Sequence, residues 1–315
     1  MKTINLLFYP LLLTCFTACG ISIKENYKVA LESIESEDHQ GAITLLSEII
    51  DYDSTIYEAF QSRAFCYFTT SAYKKAIADY QKAYALSKNG QLQFNLGMSY
   101  IKIKQFNLAI NCFNEFEKTD SNNSNLWLQK ALCLTQLKNY PSALNYFQKA
   151  QNTFTDSISL LKNIGVCHFQ LSNYNEAIDV LETYKDSIKD DQSTYEMIAF
   201  SYHKIGKYQR AKSYFDQMAE LGMVLEEKTQ TLLIKNLLKL GQRQYNKKAF
   251  IPSLQNFTKV IELDPINSEA YFNRGLVQLY YEKRKEACED FNLAFSNGHP
   301  KAISIMKKNC KDYFD

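Results

Sequence analysis

Tyr271-Phe-Asn-Arg-Gly-Leu-Val-Gln-Leu-Tyr280 sets Gly275 among apolar residues at helical spacing, and Ala287, Phe291 and Ala294 follow on a second face of the same kind. The pattern stands 34 residues earlier as Gly241, Ser253 and Phe257, closed by Pro265. Further back, Ala42, Ala76, Ala109, Ala143, Ala177 and Ala211 are spaced by 34, 33, 34, 34 and 34 residues. Four residues after each of them comes Leu46, Tyr80, Phe113, Phe147, Leu181 or Phe215. Twelve residues before comes a Gly or Ala: Ala30, Ala64, Gly97, Ala131, Gly165 and Ala199. From the second copy to the sixth an aromatic precedes the alanine by three: Tyr73, Phe106, Tyr140, Tyr174 and Tyr208. Self-similarity at this period is the mark of a repeat array, and eight copies are counted.

Each copy reads as two amphipathic helices. In the first, as in Phe94-Asn-Leu-Gly-Met-Ser-Tyr100, the small residue lets a second helix approach closely. The second helix carries the alanine and, one turn on, the large apolar residue. One such pair has too little apolar surface to offset the entropy of ordering it, so stacked neighbours must supply the rest.

The recurrence of small, aromatic, Ala and aromatic positions resembles the tetratricopeptide repeat (TPR) family over roughly residues 23–297. The resemblance implies an all-α fold: a right-handed α-solenoid of about eight TPR helix pairs with a C-terminal capping helix. Departures from the family pattern sit mainly in single copies. Only the seventh closes with Asp264-Pro265, Trp occupies its family position only at Trp127, and Ser33 stands where Tyr is usual in the first.

Composition agrees. A single compact core rarely exceeds about 250 to 300 residues, whereas this chain has 315 with no Gly/Pro/Ser-rich linker, and only 5 prolines interrupt helix. The 22 Tyr and 20 Phe fall largely on repeat core positions, which makes them packing residues rather than base-stacking or sugar-binding ones.

The expected organisation is a signal peptide at 1–18, a lipidated N-terminus and short tether at 19–22, repeats one to six at 23–219, an irregular insertion or helix extension at 220–233, repeats seven and eight at 234–299, and a capping helix at 300–315. The insertion follows from a 42-residue spacing between the sixth and seventh copies. Gly222 is suited to end a helix in the left-handed conformation, after which residues 226–246 read as one long helix. In the tail, Ala302, Ile305, Met306 and Cys310 form an apolar stripe among Lys301, Lys307, Lys308 and Lys311, as a cap on the last repeat requires.

Met1-Lys2 precedes an apolar run from Ile4 to Leu13, too short to span a bilayer comfortably. Phe16-Thr-Ala-Cys19-Gly20 resembles a bacterial lipoprotein signal, with Cys19 as the acylated first residue. The expected location is therefore the outer membrane, facing the periplasm, with a soluble periplasmic form as the alternative. Acyl chains on Cys19 would anchor the chain durably, at about 0.8 kcal/mol per buried methylene.

Six cysteines remain besides Cys15 and Cys19. Cys66, Cys133 and Cys167 share one helix position, two after the small residue, and read as buried thiols. Cys112, Cys288 and Cys310 read the same way, with a Cys288 to Cys310 bridge left open. No metal site and no cofactor are expected: there is no C-x-x-C, phosphate loop, dinucleotide fingerprint, G-x-S-x-G or H-E-x-x-H. His39, His168, His203 and His299 stand in separate copies, His168 where the family has Tyr. No catalytic activity is expected. With 36 Lys and Arg against 34 Asp and Glu and no long basic stripe in the sequence, nucleic acid is not an expected partner, and Lys247-Lys248 and Lys283-Arg-Lys285 read as solvated turns.

What remains is the groove that this family lines with first helices and in which it binds peptides. Carried over by position, the residues just after each small one are Leu31, Phe65, Met98, Leu132, Val166, Phe200, Gln242 and Leu276, apolar in seven of eight. Phe94, Leu128 and Phe272 lie one turn earlier, and Asn95, Gln129 and Asn163 form an amide row able to donate and accept. The expected partner-binding set is Phe65, Phe94, Asn95, Met98, Leu128, Gln129, Leu132, Asn163, Val166 and Phe200. It implies a protein-interaction scaffold of the cell envelope, with a carrier or sensor of a lipid or glycan-like ligand as the alternative.

Overall fold

In a computed structural model of the chain, residues 23–152 and 158–311 are described. The signal peptide, Cys15, Cys19, the tether and the end of the tail lie outside them. Seventeen helices and no strand are found among the described residues. The chain divides into two compact units, residues 1–155 and 156–315.

The first unit holds four helix pairs. They are α1 (residues 23–35) with α2 (His39–Tyr52), α3 (Tyr57–Thr69) with α4 (Tyr73–Ser87), α5 (Gly90–Lys102) with α6 (Phe106–Glu117), and α7 (Ser124–Gln136) with α8 (Tyr140–Gln151). The second holds α9 (Ile158–Gln170) with α10 (Tyr174–Ser187), α11 (Gln192–Lys204) with α12 (Tyr208–Glu220), α13 (Glu227–Asn246) with α14 (Phe250–Leu263), and α15 (Ser268–Tyr280) with α16 (Arg284–Ser296), ending in α17 (Ala302–Asn309). Within each unit every helix from α2 on packs on the next in sequence, and α11 also touches α9 and α13, as stacked pairs require. Each unit is thus an α-solenoid of tetratricopeptide type.

The turn inside each pair repeats one backbone device. Glu37, Ser71, Lys104, Lys138, Ser172, Gly206, Lys248 and Glu282 all have φ between 59° and 74°. In seven of the eight pairs the next residue's N–H donates to the carbonyl five back, as Ala72 to Tyr67 and Lys207 to Tyr202, at 2.7 to 3.0 Å. This Schellman geometry satisfies the last carbonyls of the first helix and starts the second within three residues. Only Gly206 among the eight is a glycine, so the repeat imposes the left-handed turn against side-chain preference.

Between the two helices of a pair, the small residue of the first faces the large residue 16 positions on. A Cβ on Gly97 would stand 2.5 Å from the Phe113 ring, and one on Gly241 or Gly275 2.8 Å from Phe257 or Phe291. The large residues Phe113, Phe147, Phe257 and Phe291 are fully buried. The close approach expected from the small residues is therefore what forms the core.

Polar groups enter that core in matched places. Arg63 and Arg274, each just before the small residue, make two-pronged pairs with Asp79 and Asp290 at 2.7 to 3.0 Å. At the same position Lys130, 2 % exposed, reaches Glu117 at 2.7 Å and lies over the Tyr146 ring at 4.4 Å.

Two local expectations are resolved here. Gly222 follows the C-terminus of α12 at φ 68°, and α13 runs for 20 residues where the other first helices of the second unit have 13. Cys288 and Cys310 are not core thiols but a disulfide, with Cα atoms 5.7 Å apart, which ties α17 to α16. A bridge within one helix hairpin escapes the spacing that separates equivalent positions of neighbouring repeats. Cys66, Cys112 and Cys133 carry thiols, and burial pushes them up to about 11, 11 and 12, so they are inert at neutral pH. Cys167 is fully buried.

Candidate functional site

None of the ten expected partner-binding residues is buried: Phe65 is exposed and the other nine are half-buried. Their angular position on the first helices causes this. The small residue and its neighbour two on, such as Ala64 and Cys66, are buried on the two flanks of the helix, and the residue between them lies on the open arc.

In the first unit, Phe65, Asn95 and Met98 come together. With Phe68 and Tyr80 they line a cavity of about 160 Å³, and Phe65 and Asn95 also line a neighbouring one of about 220 Å³ with Leu31 and Ile34. Phe94 turns partly inward, its ring 5.6 Å from Phe113 and 5.3 Å from Phe116. Leu128, Gln129 and Leu132 lie half-buried on α7.

The amide row is less uniform than the sequence suggests. Gln129 donates to Asn125 at 3.3 Å and Asn163 to the Ser159 carbonyl at 3.3 Å, both within their own helices, whereas Asn95 lines the cavities. Phe272 is a correction: 9 % exposed, it packs on Phe291 and stacks on His299 at 4.0 Å, so it belongs to the core.

In the second unit a cavity of about 650 Å³ opens on the face of the first helices. Phe200 lies in it, and Phe169, Met197 and Leu232 complete an apolar floor; Val166 is half-buried on α9 outside this lining. The Phe169 ring meets Phe200 at 5.2 Å. Lys204, Lys228 and Lys235 face Glu196, Glu226 and Glu227 around the rim. His203 stands on the lining too, its Nδ1 3.1 Å from Asn236, and burial holds it below its ordinary value.

Sequence reasoning missed Phe169, Met197 and Leu232. Phe68, Phe169 and His203 all fall four residues after the small position, one turn beyond the row chosen, which is the signal for them. Leu232 lies on the added length of α13, outside the 34-residue register. That extension forms one wall of the cavity.

The comparisons with known proteins agree with this fold. Residues 90–123 and 192–221 match the tetratricopeptide repeat profile, and residues 114–184 match that of anaphase-promoting complex, cyclosome, subunit 3. The fold is similar to that of a tetratricopeptide repeat protein from Parabacteroides merdae, with 17 % identity, a TM-score of 0.51, and 91 % of this chain and 96 % of that one covered. It is also similar to the C-terminal part of a repeat-containing protein from Cytophaga hutchinsonii (17 % identity, TM-score 0.53, 78 % and 98 % covered) and to MamA of AMB-1 (16 %, 0.50, 55 % and 94 %). No curated protein matches the chain. The chain thus carries tetratricopeptide repeats at residues 90–123 and 192–221 within a solenoid fold of that type, and such repeats generally bind proteins or peptides.

Proposed function

We propose that this chain is a non-catalytic scaffold of the bacterial cell envelope that holds a protein partner by a peptide segment on the face of its first helices. The observation that carries the reading is the 650 Å³ cavity of the second unit, where Phe169, Met197, Phe200 and Leu232 offer an apolar floor inside a ring of charge of both signs. A floor of that kind takes an apolar anchor, and the rim fixes its register. In the first unit the cavities around Phe65 and Met98 supply a second, smaller set of anchor points.

Export is supported by the Cys288–Cys310 disulfide, since such bridges persist in oxidising compartments and are rare in the cytosol. The Cys19 lipidation reading rests on the sequence alone.

The test is crosslinking capture from native membranes with the full chain, a Cys19→Ser form and a Met197→Ser/Phe200→Ser form, with membrane fractionation of each. The reading expects a reproducible envelope partner for the first, release from the membrane for the second, and loss of the partner at unchanged melting for the third. A copurifying lipid or glycan in the native mass spectrum, lost in the groove variant, would replace the scaffold by a carrier. Equal capture by the groove variant would move the binding site elsewhere.

A further inference from the structure

Charge is distributed across the second unit in a way the sequence order hides. The turns inside pairs lie along one edge of the stacked hairpins, and the loops between pairs lie along the other, about 20 Å away at 1.5 Å per residue of a 13-residue helix. Around three turns inside pairs, residues 202–210, 244–252 and 278–286 carry eight Lys and Arg against two Glu. Around the three loops between pairs, residues 185–194, 218–229 and 261–270 carry three Lys against nine Asp and Glu. In a chain with a net charge of +2, these three turns and three loops of one unit thus carry opposite excesses of six.

On the basic edge, a cavity of about 380 Å³ between the start of α12 and the end of α13 is lined by Lys207, Arg210, Arg243 and Lys247 and by no carboxylate. Arg243 donates to the Gly206 carbonyl at 2.9 Å. None of the ion pairs found among the described residues of this unit involves Arg210, Lys247, Lys248, Lys283, Arg284 or Lys285. Beside them stand Ile251, Tyr280 and Tyr281, 63 %, 58 % and 42 % exposed, with the Phe250 ring tilted against Tyr280 at 3.7 Å. Apolar tips are exposed on the acidic edge as well, at Val224 and Ile266, so charge and the aromatic character of the tips distinguish the two edges.

We propose that the edge formed by residues 207–210, 247–251 and 280–285 docks on an anionic lipid bilayer, its cations against headgroup phosphates and its tyrosines at the interface. Lys and Arg set near such a surface add attraction singly, Tyr favours the water–lipid boundary, and the acidic opposite edge is turned away by the same field. The surface is separate from the groove, and docking by it leaves the first-helix face open to a partner.

The test is binding of the full chain to phosphatidylcholine vesicles with and without phosphatidylglycerol, at low and moderate salt. The Cys19→Ser form is used, so that any contribution of the N-terminal apolar run is common to both lipids. The anionic lipid should raise affinity about tenfold or more, salt should remove the gain, and Arg210→Glu/Lys247→Glu/Lys283→Glu should abolish it. Lys75→Glu/Lys104→Glu/Lys138→Glu, which reverses three charges at the corresponding turns of the first unit, should leave it. Tyr280→Trp in a Trp127→Phe background should be quenched by brominated lipid, and Ile266→Trp in the same background should not; circular dichroism confirms that each variant is folded. Equal loss in both triple variants would reduce the effect to net charge and overturn the proposal. Absence of any anionic-lipid gain, or capture of polyglutamate or duplex DNA in place of vesicles, would overturn it too.

Discussion

Removing the Cys288–Cys310 bridge by Cys310→Ser should loosen the cap without unfolding the unit. The bridge spans 22 residues, and closing a loop of that length takes about 3.4 kcal/mol of freedom from the opened state. Helix α17 has eight residues, far below the length at which a helix stands alone. It is held by Ala302 and Cys310, both buried, and by Ile305 and Met306, half-buried against the α15–α16 core. Contacts of this kind reach only the neighbouring pair, so the loss stays local. Part of the 3.4 kcal/mol is returned by structure remaining in the opened segment, which leaves an expected drop in amide protection of about a hundredfold across residues 302–309. Native-state hydrogen exchange on the oxidised chain and on Cys310→Ser reads this directly, with α9 to α12 as the internal standard. Unchanged protection in α17 would mean that packing alone holds the cap. An equal loss through α9 to α12 would mean that the unit opens as one body, against the nearest-neighbour reasoning.

Glu117→Gln leaves the Lys130 ammonium, 2 % exposed, with the Tyr146 ring as its main partner, and should lower stability by about 2 to 3 kcal/mol in urea melts. Adding Lys130→Met should recover most of that loss, and failure to do so would show that the pair is not what the first change disturbed. Gly206→Ala should cost about 1 kcal/mol purely through the backbone, because φ is 74° and a Cβ there meets nothing within 4 Å; Lys138→Gly, at φ 59°, should be neutral or stabilising by a few tenths of a kcal/mol. Burial holds His168, His203 and His299 below their ordinary value of 6.5. Between the folded and unfolded values the unfolded chain binds more protons, so stability is full above about pH 6.5 and falls as pH drops below it; His203→Gln should flatten part of that slope in melts taken from pH 7.5 to 5.5, and an unchanged slope would remove His203 from the account.

Much of the fold was legible because repetition multiplies a weak signal. A Gly or Ala facing a large residue 16 positions on says little once, but eight times in register it specifies a helix pair and a stack. The disulfide was legible only as one option, since Cys288 and Cys310 share no repeat register and their approach depends on where α17 folds back. The groove was read one turn short. Phe65, Met98 and Phe200 come from the row after the small residue and Asn95 from the amide row two before it, yet the cavities also use Phe68, Phe169 and His203 from the next turn, and Leu232 from an extension that belongs to no repeat. The charged edge was missed for a different reason. Lys207, Lys247 and Lys283 are 40 and 36 residues apart, and a scan for runs sees three short clusters. Only the left-handed turns at Gly206, Lys248 and Glu282 bring them into line, because each returns the chain to the same edge. In a stacked repeat, surface character is therefore carried by register rather than by local composition, and a net charge near zero is compatible with a strongly polar unit.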